Sequence, residues 1–389
     1  MYPDLSYFFH DIFGSEPDNW TAIFKTFGLL LGGAIFSAAF VLYKEFQRKE
    51  KEGILKPYTQ TIKINAGVDW KEVLISAFMG FAIGYKFMHV RENFERFKID
   101  PSEILFSGGG NLLIGLLLAI IFGGFSFWQS NKNKSAEPRT IEKTIYPHQK
   151  VADITIAAMI SGLFGAKMFS IMENVGWAFF EDPIGHLFSG SGLTVYGSLI
   201  VGALGVWLYL RKLNIPFVHF LDACSPAFIV GYGVGRIGCH LSGDGDWGIV
   251  NLAPKPDWFI FPDWAWSYTY PRNVLERGVP VQDCIGRICN QLPEGVFPTP
   301  LYEIFMSIII VAILLSLRKR LKIAGAMFFC FCFFNGLERF LIEKIRVNDT
   351  YNYFGFEWSQ AQYIAIGLML VGILGLVYLY FIRSKKEVT

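Results

Sequence analysis

The sequence predicts an all-α integral membrane protein of about nine transmembrane helices. The N-terminus is expected in the periplasm, the C-terminus in the cytoplasm, and a periplasmic cap between helices 6 and 7. Three observations carry this. The 389 residues are 52% hydrophobic, and the mean hydropathy is +0.37. Apolar runs near the length of a bilayer-crossing helix recur along the whole chain. Basic residues collect in alternate loops, as in multi-pass proteins. A net charge of +2 gives no nucleic-acid signal.

The expected spans are 22–43, 72–90, 104–128, 152–172, 190–210, 217–238, 302–317, 324–343 and 361–382. The loops 44–71 and 132–150, Arg211-Lys212, Arg318-Lys319-Arg320 with Lys322, and Arg383 to Lys386 are basic. Each follows an odd-numbered span, which places it inside. The alternate loops, around Asp182-Pro183 and from Gly243 to Pro300, are acidic, aromatic and glycine-rich. The second-to-third connection departs from the rule, with Arg91, Arg96 and Lys98 on the outer side. Met1 to Trp20 lacks the basic start and apolar core of a cleavable signal peptide.

An internal repeat occupies the first half. Gly84-Tyr85-Lys86, Glu92-Asn93, Asp100-Pro101, Phe106-Ser107-Gly108 and Gly115 recur as Gly165-Ala166-Lys167, Glu173-Asn174, Asp182-Pro183, Phe188-Ser189-Gly190 and Gly197. This is a duplicated helix–outer loop–helix unit. The copies differ where chemistry is expected: Ile114-Gly115 in the first is Tyr196-Gly197 in the second. Tyr196 is open to two readings, an interfacial belt residue or a site residue.

The chain accordingly divides into 1–71 (N-terminus, first span and inner loop), 72–150 (first copy), 151–242 (second copy and a glycine-rich helix), 243–300 (cap) and 301–389 (three spans). The cap is crowded with Trp, Pro and Asp, and its Cys284 and Cys289 are spaced for a disulfide in an oxidising compartment. The six histidines are scattered, and neither metal nor cofactor is expected.

Two arginine groups stand out. Arg236 sits in Gly235-Arg236-Ile237-Gly238 at the end of a long apolar run, followed by Asp244. A guanidinium there snorkels, pairs or holds an anion. Arg339, Glu343 and Arg346 are spaced i, i+4, i+7, so Glu343 reads as a partner for either arginine on one helical face. That group is an exposed salt-bridge ladder or the second half of an anion site. Both groups end at the same depth in one leaflet, next to Tyr302 and Glu303. Two permanently charged forks converging there suit a phosphodiester headgroup.

With these residues in view, the chain resembles the bacterial prolipoprotein diacylglyceryl transferase family from about Asp153 onward, and in its first span. Gly235-Arg236-Ile237-Gly238, then Ser242, Asp244 and Gly248, resembles the family hallmark. So do Asp222 to Pro226, Gly165-Ala166-Lys167, Tyr196-Gly197-Ser198-Leu199-Ile200-Val201-Gly202, Pro298 to Glu303, and Gly336, Arg339, Phe340, Glu343 and Arg346. Departures are Cys239 for Asn, His240 for Phe, Tyr196 for the usual His, and Phe27-Gly28 for Tyr-Gly.

The resemblance implies transfer of the diacylglyceryl group of phosphatidylglycerol to the lipobox cysteine thiol of a prolipoprotein signal peptide. A thioether forms and glycerol-1-phosphate leaves. It implies a monomer in the inner membrane, acting on lipid at the periplasmic leaflet without a cofactor. Arg236 and Arg339 are expected on the phosphate, with Glu343 and Arg346 behind them. Tyr196 and His240 are the candidates for proton transfer, and Gly197, Gly235, Gly238, Asp244, Tyr302 and Glu303 are expected to line the substrate site. A secondary transporter and a non-catalytic envelope-assembly paralogue are the alternatives. The repeats run parallel rather than inverted and the charges gather at one face, which disfavours transport.

Overall fold

The computed structural model describes residues 1–388 apart from 65–67, 133–138, 181–182, 184–191 and 354. Its helices are α1 (Leu5–Phe13), α2 (Thr26–Lys51), α3 (Trp70–Glu92), α4 (Phe94–Ile99), α5 (Pro101–Phe106), α6 (Leu112–Lys132), α7 (Val151–Ser170), α8 (Val195–Lys212), α9 (Phe217–Ser242), α10 (Thr299–Leu317), α11 (Ala326–Ile342) and α12 (Gln360–Val388). A helix occupies each of the nine expected spans. Among the described residues seven stretches, 26–51, 70–92, 112–132, 147–175, 217–242, 299–317 and 360–381, are long and apolar enough to cross a membrane. Of the other two, α8 carries Arg211 and Lys212 in its last turn and α11 is only 17 residues long. The span expected at 104–128 starts at Leu112, because Gly108-Gly109-Gly110 separates the short α5 from α6.

The all-helical expectation holds for the spans and fails in the connections. Among the described residues three two-stranded antiparallel sheets form: β1 (Tyr58–Ile64) with β2 (Arg139–Ile145), β3 (Val279–Pro280) with β4 (Asn290–Gln291), and β5 (Thr350–Tyr353) with β6 (Phe356–Ser359). The first joins the two lysine-rich loops, pairing Tyr58 with Ile145 and Ile64 with Arg139. The chain forms two compact units, residues 1–55, 150–155 and 207–389 in one and 56–149 with 156–206 in the other.

In the first unit α9 is central and packs on α2, α10 and α11. Small residues bring it close. A Cβ at Gly231 would lie 3.2 Å from Ala38 Cβ, and one at Gly238 would lie 3.2 Å from Leu30 Cβ. One end of this bundle is tied by charge. The Asp222 carboxylate accepts the N–H groups of Gly325 (2.8 Å) and Phe328 (3.1 Å), capping α11. Arg318 meets Glu45 at 2.7 Å beside it. At the other end the N-terminal segment joins the cap: Ile288 N–H donates to the Tyr7 hydroxyl at 2.8 Å, and Tyr2 N–H to the Leu241 carbonyl at 2.8 Å. Cys284 and Cys289 form a disulfide within that cap.

In the second unit the repeat becomes two helix pairs, α3 with α6 and α7 with α8. Its glycines are where backbones touch. A Cβ at Gly84 would stand 2.5 Å from the Ile114 carbonyl oxygen, and one at Gly197 would stand 2.3 Å from that of Gly165. Each copy keeps the same hydrogen bond at its turn, Asn111 N–H to the Tyr85 carbonyl (2.8 Å) and Thr194 N–H to that of Ala166 (3.1 Å). Asp182 and Phe188-Ser189-Gly190 of the second copy lie outside the described residues.

Candidate functional site

The end of α9 shows why its glycines matter. Gly243 closes the helix in the left-handed region (φ 64°), its N–H bonded to the Cys239 carbonyl. Gly245 follows at φ 99°. These two turns fold the chain back so that Asp246 meets Arg236, ten residues earlier. Gly248 then threads a tight gap, where a Cβ would lie 2.3 Å from the Ile345 carbonyl oxygen and 2.9 Å from Thr299. Gly248 N–H bonds Phe297 and Ile249 N–H bonds Ile345. The glycines thereby bring α9, the start of α10 and the 343–346 segment together.

At that junction three guanidiniums share three carboxylates. Glu303, fully buried at the start of α10, faces Arg236 Nε at 3.1 Å, Arg346 Nη1 at 3.5 Å and Arg339 Nη1 at 3.7 Å. Asp246 bridges Arg236 and Arg346, the latter at 2.7 Å. Glu343 takes Arg339 Nη2 at 3.2 Å and accepts hydrogen bonds from Asn348 and, at 2.8 Å, from the Ser359 hydroxyl. Arg236 also stacks on Tyr232, its Cζ 5.1 Å from the ring centroid. Arg339 is the most open of the three, its side chain 30% exposed against 15% for Arg236 and 12% for Arg346. Its charge is balanced by Glu303 and Glu343.

The cluster corrects the sequence reading at several positions. Arg339, Glu343 and Arg346 do not share one helical face. The α-helix ends at Ile342, a 3-10 turn spans Glu343–Ile345, and Arg346 is extended (φ −88°, ψ 156°). Glu343 therefore holds Arg339, and Arg346 turns to Asp246 instead. The carboxylate that reaches the guanidiniums is Asp246, not Asp244. Two arginines outweigh the effect of burial and hold Asp246 below the usual carboxylate range. Asp244 is raised, chiefly by burial, and sits beside the Cys239 thiol.

His240 packs among cap aromatics, its ring 5.7–6.1 Å from those of Trp264, Tyr268 and Tyr270. Its Nδ1 lies 3.4 Å from the Tyr270 hydroxyl. Tyr302 donates to the Ala265 carbonyl at 2.9 Å and so fastens the cap to α10. Gly238 packs against α2, whereas a Cβ at Gly235 would meet nothing within 4 Å. Tyr196 and Gly197 belong to the second compact unit; Tyr196 is 45% exposed and Gly197 lies against Gly165.

Tyr232, Glu338 and Asp246 were missed. The Tyr232 hydroxyl donates to the buried Glu338 at 2.9 Å. Its position four residues before Arg236, on the same helical face, is the signal that finds it. Cys239, Asp244 and Asp246 bring potential ligand atoms within 4.8 Å of one another. Both oxygens of Asp246 are already taken by Arg236 and Arg346.

Residues 112–378 match the family model of prolipoprotein diacylglyceryl transferase. The match begins ahead of Asp153 and takes in α6 of the first copy. The chain is similar to the phosphatidylglycerol–prolipoprotein diacylglyceryl transferase of Dehalococcoides mccartyi, at 25% identity over 298 residues, 75% of this chain and 98% of the relative. It is also similar to those of Corynebacterium diphtheriae (23% over 267 residues, 68% and 85%) and Corynebacterium efficiens (28% over 209 residues, 53% and 61%).

Proposed function

The chain belongs to the prolipoprotein diacylglyceryl transferase family, and we propose that it transfers the diacylglyceryl group of phosphatidylglycerol to the lipobox cysteine of a prolipoprotein. The observation that carries this reading is the set of three guanidiniums around the buried Glu303, with Arg339 opening outward. In the reaction the thiol gives up its proton and the sulfur forms a bond to glyceryl carbon. The carbon–oxygen bond to phosphate breaks, and its electron pair stays on the departing glycerol-1-phosphate. Charge builds on that phosphate, so preorganised donors at its oxygens lower the barrier.

Arg339 and Arg236 are the phosphate ligands in this reading. Arg346, Asp246, Glu303 and Glu343 keep the two forks oriented and their charges matched. Gly235, open on its outer face, lets the lipid approach the helix. The thiol's proton passes to water at the membrane surface. His240 is a cap-packing residue and not the base. The protein acts as a monomer in the bacterial inner membrane with the site in the periplasmic leaflet, since residues 1–25 and the aromatic cap gather at the site end of the first unit. The basic ends of α2 and α10 lie at the other end, as the charge rule requires.

The test is thioether formation on a lipobox peptide with phosphatidylglycerol in detergent. Arg236→Lys and Arg339→Lys keep the charge and lose the bidentate fork, and each is expected to cut turnover by about 10²–10³-fold, the scale of one oxyanion-hole donor. His240→Phe is expected to stay within a few-fold of wild type, whereas loss of a general base removes about 10²–10⁴-fold. Wild-type rates in both lysine variants overturn the phosphate assignment.

A further inference from the structure

The cap carries an excursion from Leu252 to Trp264 several of whose apolar side chains stay exposed. Ile260 is 87% exposed, Trp258 74% and Leu252 73%, with Phe261 and Trp264 also open. The loop is nonetheless ordered. At its base Asn251 Nδ2 donates to the Trp266 carbonyl (2.7 Å), Trp266 Nε1 to that of Ala253 (2.9 Å), and Ser267 Oγ to that of Asn251 (2.9 Å). Phe259 packs edge-on to Trp266 at 5.2 Å and bridges to Phe261 at 5.5 Å. Lys255 pairs with Asp263 at 2.6 Å and donates to the Phe261 carbonyl at 3.2 Å, closing a polar neck behind the apolar tip.

Where the loop rests decides what covers it. Phe261 packs on Phe305, ring centroids 5.3 Å apart. Phe305, 43% exposed, lies on the outward face of α10 with Ile308 and Ile309, each 58% exposed. That face belongs to a helix apolar enough to cross the membrane, so acyl chains cover it. Phe305 lies six residues into the helix, about 9 Å along its axis at 1.5 Å per residue. A loop packed there is below the helix start, on surface that lipid already wets.

We propose that residues 252–264 form an interfacial foot. Trp258, Ile260 and Phe261 dip into the outer leaflet at the boundary of headgroups and acyl chains, anchoring the cap beside the arginine site. Trp beside aliphatic side chains, with a Lys–Asp pair at the neck, is the composition that this boundary retains. The inference rests on reading α10 as a span with its N-terminal end outward.

A nitroxide on Ile260→Cys, with the protein in phosphatidylglycerol-containing nanodiscs, tests it by collision with oxygen and with a water-soluble nickel chelate. The native free thiols are buried, so the label goes to the new one. Controls are Ile309→Cys on α10 and Arg277→Cys on the exposed cap. The expected result is high oxygen and low nickel access at 260, close to 309 and unlike 277. Nickel access at 260 equal to that at 277, with 309 still in lipid, overturns the foot and leaves the span reading standing. Protection of 260 from both reagents also overturns it, because protein then covers the loop, a partner or a second copy. Nickel access at 309 overturns the span reading, and the foot with it.

Discussion

A guanidinium in an apolar slab persists only where its charge is matched, and here the matching is mutual. Arg236, Arg339 and Arg346 stand against Asp246, Glu303 and Glu343, so neither set is left uncompensated. Within this set Asp246 and Asp244 make opposite predictions. The folded-state pKa of Asp246 is depressed, so its contribution to stability is complete above the ordinary carboxylate value near 3.9. That contribution is lost as pH falls through the lower folded value. Burial raises that of Asp244, so its ionised form is a liability at neutral pH. Asp246→Asn is therefore expected to lower the melting temperature at pH 7 and flatten the loss of stability in acid. Asp244→Asn is expected to melt at or above wild type. Thermal melts in detergent from pH 3 to 8 check both, and a greater loss at Asp244 would reverse the assignment.

At the scale of the helices, glycine does two jobs that substitution separates. In α8 Gly197 is a contact residue, and an added Cβ would fall 2.3 Å from the Gly165 carbonyl oxygen. Gly197→Ala is expected to push α7 and α8 apart, at about 1–3 kcal/mol for an overpacked site. In α9 Gly235 faces open space. Gly235→Ala is expected to gain roughly 0.5–1 kcal/mol of helix stability and yet to lose turnover, because the methyl group occupies the lipid's approach. Melting temperature and thioether rate measured together tell the two cases apart. A destabilised Gly235→Ala would show that this glycine is structural as well.

For the whole molecule the prediction is topological. Reporter fusions after Lys51 and Arg320 are expected to read cytoplasm and one at Asp257 periplasm. Cys284 and Cys289, joined in the cap, are expected to take a membrane-impermeant thiol reagent only after reduction. A cytoplasmic Asp257 would overturn the orientation, the outer-leaflet site and the lipid-dipping loop together.

Membrane class, the nine helical segments and the duplicated pair were legible in the sequence, because hydropathy, alternating loop charge and repeat spacing are local properties that survive without a fold. The identities of Arg236, Arg339, Glu303, Glu343 and Arg346 were legible too, since charge in an apolar run is conspicuous. Their pairing was not. Whether Glu343 meets Arg339 or Arg346 depends on where α11 stops, and the choice of Asp246 over Asp244 depends on two left-handed glycines turning the chain. The β1–β2 sheet between loops some eighty residues apart, and the burial of His240 among cap aromatics, likewise arise from contacts between distant segments. Spacing along a chain reports which residues share one element. Which elements meet, and so which charges find one another, is decided when the helices close.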